Sequence, residues 1–193
     1  MSRSIMWLMI ISGAVFSFVI SLTSPTVHLY FMQHVSAQVY ATAGVIETGL
    51  AAIMSSAMSK ENIRHKMRRI YGAILLLDAV GYAVISFVSM ENTTVRFLGL
   101  AILSAITINI WFTLMMDAIN GVLAGTKLTN YQTLSRSWQL WATVAGSGTA
   151  VMVTGILTLE SAIWMQCVGN ALMAGCDYKG FTHITKREGK ADA

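Results

Sequence analysis

Charge is scarce in this chain. Only 11% of its 193 residues are Asp, Glu, Lys or Arg, against about 25% in an ordinary soluble domain. Between Arg3 and Glu47 there is none at all. That shortage excludes a normal water-facing surface. With 55% hydrophobic residues and a mean hydropathy of +0.61, it points to lipid as the surrounding solvent. Cysteine is nearly absent too. Cys167 and Cys176 lie nine apart in one apolar segment, a spacing that matches neither a metal site nor a clear disulfide. They read as buried thiols behaving like small apolar residues, with a redox or metal role as the alternative. The single proline, Pro25, falls near the outer end of the first apolar run.

Recognisable chemistry is also lacking. There is no HExxH, no glycine-rich phosphate loop and no Ser/His/Asp set at a shared membrane depth. No enzyme, cofactor or metal is therefore expected. The net charge of +4 does not point to nucleic acid, because the cations sit where membrane topology places them. No cleavable signal peptide is expected, since the first apolar run is long enough to span and lacks a small-residue cleavage site.

What is present is a series of long apolar stretches. A spanning helix needs roughly 20 apolar residues. The expected spans are 5–32, 39–59, 70–89, 97–123, 137–159 and 161–175. Together they form an all-α six-helix membrane domain over residues 1–178, followed by a polar tail at 179–193 that frays over its last five residues, 189–193. Between the spans lie a break at 33–38, a basic loop at 60–69, a polar turn at 90–96, a loop at 124–135 and a tight turn at Glu160. The 13 Lys and Arg orient them. Arg3, Lys60, Arg64, Lys66, Arg68, Arg69, Lys127, Arg136, Lys179, Lys186, Arg187 and Lys190 fall on alternate segments, and Arg96 alone falls on the other set. By the positive-inside bias both ends are cytoplasmic, which requires an even number of spans. The expected location is a bacterial inner membrane.

Polar residues are arranged in stripes. Gly13, Ser17, Ser21, Ser24 and His28 recur at helical spacing on span one. They suit a close-packed seam or a cavity wall with His28 at its outer end. Span four carries Asn109, Thr113, Asp117 and Asn120, a face too polar for lipid. It faces an aqueous cavity or a buried network. Span five shows Gln139, Thr143, Gly146 and Ala150 after Arg136, and span six shows Gln166, Asn170 and Asp177.

Two acids lie deep in apolar runs: Glu47 between Gly44 and Gly49, and Asp78 in span three. A charge at bilayer depth costs at least about 2.5 kcal/mol. Such a group is held neutral or paired with a cation. Glu47 suits a proton or cation relay, or a neutral acid bonded within the bundle. Asp78 suits a structural network with Lys66, Arg68 and Arg69. Arg136 and Asp117 form a possible pair on the cytoplasmic side.

Four features carry a family resemblance. Span one ends in the proline-containing segment SPTVHLYFMQHVS. Span two is rich in small residues, GVIETGLAAIMSSAMS. The basic segment KENIRHKMRR joins spans two and three, and span five carries VAGSGTAVMVTG after NYQTLSRSWQ. The layout resembles one six-helix half of a major facilitator superfamily transporter. The resemblance implies two three-helix repeats, a cavity lined by spans one, two, four and five, and a binding site near the midplane. Of the family's loop motif only the basic end, Lys66, Arg68 and Arg69, is present. Gly148-Thr149 stands where the antiporter motif has Gly-Pro, so antiport is not implied.

The resulting expectation is a half-size transporter of a small polar or cationic solute, working as a parallel dimer and coupled to protons. Its relay and cavity residues would be Glu47, His28, Asn109, Thr113, Asp117, Gln139 and Asn170. The partners expected are the lipid bilayer and either a second copy or a second membrane subunit. The alternative is a non-transporting accessory, immunity or exclusion protein bound to a larger membrane complex. A channel ranks below both, for want of a filter sequence.

Overall fold

The computed structural model describes residues 1–88, 92–153 and 155–191. Among them the chain forms seven helices and no strand. In order these are α1 (Arg3–His34), α2 (Ala37–Met58), α3 (Glu61–Arg69), α4 (Tyr71–Val88), α5 (Thr93–Val122), α6 (Thr126–Val153) and α7 (Leu159–Ala191). Ser89 as the end of span three, part of the expected turn at 90–96, and the last two residues of the expected tail lie outside the described residues. Three helices, α1, α2 and α5, are long and apolar enough to cross a membrane. The bent pair α3–α4 makes a fourth when taken as one span. This is an integral membrane architecture.

Three polar segments are helical where loops or a tail were expected. Residues 61–69 form α3. Ile63 and Met67 share one half-buried face of it, and the ends suit the helix dipole, with Glu61 in the first turn and Lys66, Arg68 and Arg69 in the last. Residues 126–135 are the first turns of α6. Leu128, Tyr131 and Leu134 recur there at helical spacing, and Tyr131 is buried. The stretch beyond 175 continues α7, because Asp177, Phe181 and Ile184 extend the buried stripe begun by Cys167 and Met173. Glu160, expected at a turn, lies in the first turn of α7. The Thr158 hydroxyl accepts from the Ser161 backbone N–H just before it, as a helix cap does.

The chain divides into two compact units, residues 1–25 with 115–193, and residues 26–114. The division in α1 falls at Pro25, inside the helix, where the missing N–H removes one rung of the backbone ladder.

In the first unit, α1 lies beside both α6 and α7. Trp7 meets Trp138 edge to face at 6.1 Å. A Cβ built on Gly13 would lie 2.9 Å from the Gln139 side-chain nitrogen, and one on Gly146 would lie 2.5 Å from the Phe18 carbonyl oxygen. Along α7 the pairing runs the other way. Gly180 receives Met9, Gly169 receives Val19, and Gln166 bonds Thr23. Glycines on α6 and α7 thus let these helices pack closely against α1, as expected for helices that pack without a hydrophobic drive.

In the second unit, α4 and α5 are antiparallel. Gly81 faces Leu103, Gly99 faces Ile85, and Asp78 meets Thr107. Aromatic rings tie the start of α2 and the end of α1 to the start of α5: Phe31 lies 4.9 Å from Phe97, and Tyr40 stacks on Phe97 at 5.2 Å. Ser36 caps α2, its hydroxyl accepting from the Val39 N–H.

Candidate functional site

In the second unit the feature with most chemical consequence is a buried acid. Asp78 lies mid-helix in α4 and is only 9% exposed. Thr107, on the facing turn of α5, is 1% exposed, and its hydroxyl donates to the Asp78 carboxylate. The same hydroxyl lies 2.8 Å from the Leu103 carbonyl of its own helix. Gly81, one turn along α4, and Gly99, two turns before Thr107 on α5, let the two helices pack closely around this contact. Sequence reading singled out Asp78 and passed over Thr107. The available signal was the i, i+4 register of Leu103 and Thr107 against a mid-span acid.

Glu47 has the opposite setting. It is exposed on α2, on a face that also exposes Gly44, Thr48 and Ala52 beside Val45 (72% exposed) and Ile53 (59%). A Cβ added at Gly44 or Gly49 would meet nothing within 4 Å. A helix able to cross a membrane therefore presents a carboxyl on an uncovered face of small residues.

His28 is exposed and meets Tyr40 edge to face at 6.5 Å. Asn109 and Thr113 are half-buried on α5 and bond their own helix. The Asn109 amide donates to the Ala105 carbonyl and the Thr113 hydroxyl to the Asn109 carbonyl, each at 2.8 Å. Of the basic residues assigned to the Asp78 network, Lys66 and Arg69 are exposed and Arg68 is half-buried, all on α3. Arg96, the lone cation of the opposite set, is buried at 3% exposure.

In the first unit, the stripes of spans one and five meet each other. Gly13 and Ser21 of α1 lie against Gln139 and Gly146 of α6, so the small residues there serve close helix packing. Asn170 and Asp117 are half-buried, Arg136 and Thr143 exposed. The stripe on α7 contributes a buried polar pair. The Gln166 side-chain amide donates to the Thr23 hydroxyl at 2.8 Å, and that hydroxyl donates to the Val19 carbonyl at 2.7 Å. Thr23 lies beside the stripe read from the sequence and was missed. Near the start of α6, Tyr131, Ser135 and Asp177 come together. Burial first, and then the Asp177 charge, push the Tyr131 hydroxyl up to about 12 against a weaker opposing bond to Ser135. Cys167 and Cys176 are both free thiols. Burial and then Asp177 raise Cys176 above its ordinary value, which keeps it protonated and a poor nucleophile.

Among the described residues no three of His, Cys, Asp and Glu gather in a way that would hold a metal ion. No family model matches the chain, and no curated protein or solved structure matches it.

Proposed function

We propose that this protein is a half-size secondary transporter for a small polar or cationic solute, working as a parallel homodimer coupled to protons. On this reading α6 and α7 supply the fifth and sixth spans, both ends are cytoplasmic, and the bundle resembles one half of a major facilitator superfamily transporter. The observation that carries the reading is Glu47 on the uncovered small-residue face of α2. A carboxyl at that depth must hold a proton or meet a polar partner. A transporter subunit uses both states, taking the proton from one side and releasing it when the second subunit closes over the face. Asp78, held by Thr107, is a second carboxyl in an apolar hairpin and serves as a fixed element against which the first can move.

The same uncovered face favours one other reading, a non-transporting accessory subunit whose α2 binds a larger membrane complex. Two measurements separate them. Native mass spectrometry of gently extracted protein gives a homodimer for the transporter and a heteromer for the accessory. In proteoliposomes with an internal pH dye, Glu47→Gln abolishes proton-linked flux while leaving extraction and oligomeric state unchanged. Normal flux in that variant makes Glu47 structural and removes it from the coupling mechanism.

A further inference from the structure

The α2–α3 corner gathers cations beside apolar walls. Within residues 60–69 there are five, Lys60, Arg64, Lys66, Arg68 and Arg69, against the single acid Glu61. The positive-inside bias requires only that cations lie on that side. It does not require a helix. Here Glu61, Asn62, His65, Lys66 and Arg69 line one exposed pocket of about 370 Å³, while Ile63, Arg64, Met67 and Arg68 on the other side are half-buried. Glu61 sits at the N-terminal end of α3, which leaves His65, Lys66 and Arg69 as the far wall. Arg69 and His65 are 3.3 Å apart, with the guanidinium as donor, so both side chains lie on the same wall of the pocket. A second pocket, about 450 Å³, is lined by Ala52, Ile53, Ser56, Ala57 and Lys60. Its walls belong to the last turns of a helix apolar enough to span, and Lys60 stands at its end. The α3–α4 pair is bent by 70° at Ile70, so α3 turns sharply away from the line of α4, as an interfacial amphipathic helix does.

We propose that this corner is a binding site for an anionic phospholipid, its phosphate held by Lys66 and Arg69, with Lys60 adding positive charge at the end of the apolar α2 wall formed by Ile53 and Ala57. The Arg69 guanidinium and the Lys66 ammonium suit a phosphate oxyanion. The apolar walls distinguish a lipid phosphate from a soluble one. The aliphatic stem of Lys60 can lie along the α2 pocket while its charge reaches the headgroup plane. The proposal rests on the membrane setting of α2 and α4, and is independent of whether the protein transports anything.

The test uses the full-length protein in phosphatidylcholine nanodiscs carrying a minority of spin-labelled phosphatidylglycerol. The readout is the immobilised fraction of label relative to the same label on phosphatidylcholine. A cation near an anionic headgroup contributes about 1 kcal/mol, a factor of about five. Wild type is expected to prefer phosphatidylglycerol by about tenfold or more. Lys60→Gln/Lys66→Gln/Arg69→Gln brings the preference close to unity. All three side chains are exposed, so the variant keeps its fold, which a monodisperse elution profile and an unchanged helix signal verify. Lys60→Arg/Lys66→Arg keeps the preference, as does removal of charge elsewhere by Lys127→Gln/Lys179→Gln. The proposal is overturned by a wild type without preference, by a triple variant that retains it, or by millimolar inorganic phosphate releasing the label, which would assign the site to a soluble anion.

Discussion

The closest approach in the first unit gives a prediction whose size can be worked out. A Cβ on Gly146 would lie 2.5 Å from the Phe18 carbonyl oxygen and 3.0 Å from the Ser21 Cβ. Comfortable contact lies near 3.5 Å, so a methyl there forces α1 and α6 apart by on the order of 1 Å. The obstacle is backbone of a neighbouring helix, which cannot rotate away as a flexible side chain does. Overpacking of this kind costs about 1–3 kcal/mol. Gly148, two residues on in the same helix, is exposed, and a Cβ there meets nothing within 4 Å. Any gain in helix propensity from Ala, at most about 1 kcal/mol, is common to both positions. The difference between Gly146→Ala and Gly148→Ala therefore isolates the packing cost. At about 2–4 °C per kcal/mol for a chain of this size, Gly146→Ala should melt about 2–12 °C below Gly148→Ala. Thermal unfolding of the detergent-purified variants, followed by size-exclusion recovery, measures it. Equal melting temperatures would refute the close approach of α1 to α6.

Two further predictions concern buried polar groups. Thr107→Val removes the donor to Asp78 while keeping side-chain shape, and should cost about 1–3 kcal/mol; Thr107→Ser should recover most of that in the same melting assay, and a neutral Thr107→Val would show that the hydrogen bond contributes nothing. Tyr131 predicts an alkaline limit to stability. Its folded value of about 12 lies above the ordinary 10, so between those pH values the unfolded chain releases the proton while the folded chain keeps it, and stability falls as pH rises. The loss totals on the order of 2–3 kcal/mol by pH 12. Tyr131→Phe should flatten this part of the stability profile, and an unchanged slope would place the titration elsewhere.

The apolar helices were legible in the sequence because lipid leaves no latitude: α1, α2, α4 and α5 coincide with long uncharged runs, apart from Arg3, Glu47, Asp78, Arg96 and Asp117. The polar helices were not. Hydropathy reads 60–69 and 124–135 as loops and 179–193 as a tail, whereas periodicity, with Ile63 and Met67 or Asp177, Phe181 and Ile184 on one face, marks helix. The stripe residues are a mixed case. Spacing placed Gly13, Ser21, Gln139 and Gly146 on helix faces, and those faces meet. Spacing carries no information on which polar side chain finds a distant partner. Thr23 with Gln166 is separated by 143 positions in sequence, and Thr107 with Asp78 by 29; such pairs are set by helix register, which single-helix periodicity does not encode.

The two units also differ in when they can exist. Residues 26–114 are contiguous, so the α4–α5 hairpin and its Asp78–Thr107 contact can close as soon as α5 is made. The other unit joins residues 1–25 to residues 115–193. Its α1 segment is made well before its partners Gly146, Gln166, Gly169 and Gly180. At about 5–20 residues per second, the first helix waits several seconds or more for them. Throughout that interval Thr23 lacks Gln166, and the groove at Phe18 has nothing in it. Contacts this distant in sequence are slow to form. A nascent chain stalled before residue 146 should therefore hold α4 and α5 in their final register while α1 is still open to an insertase or to other helices.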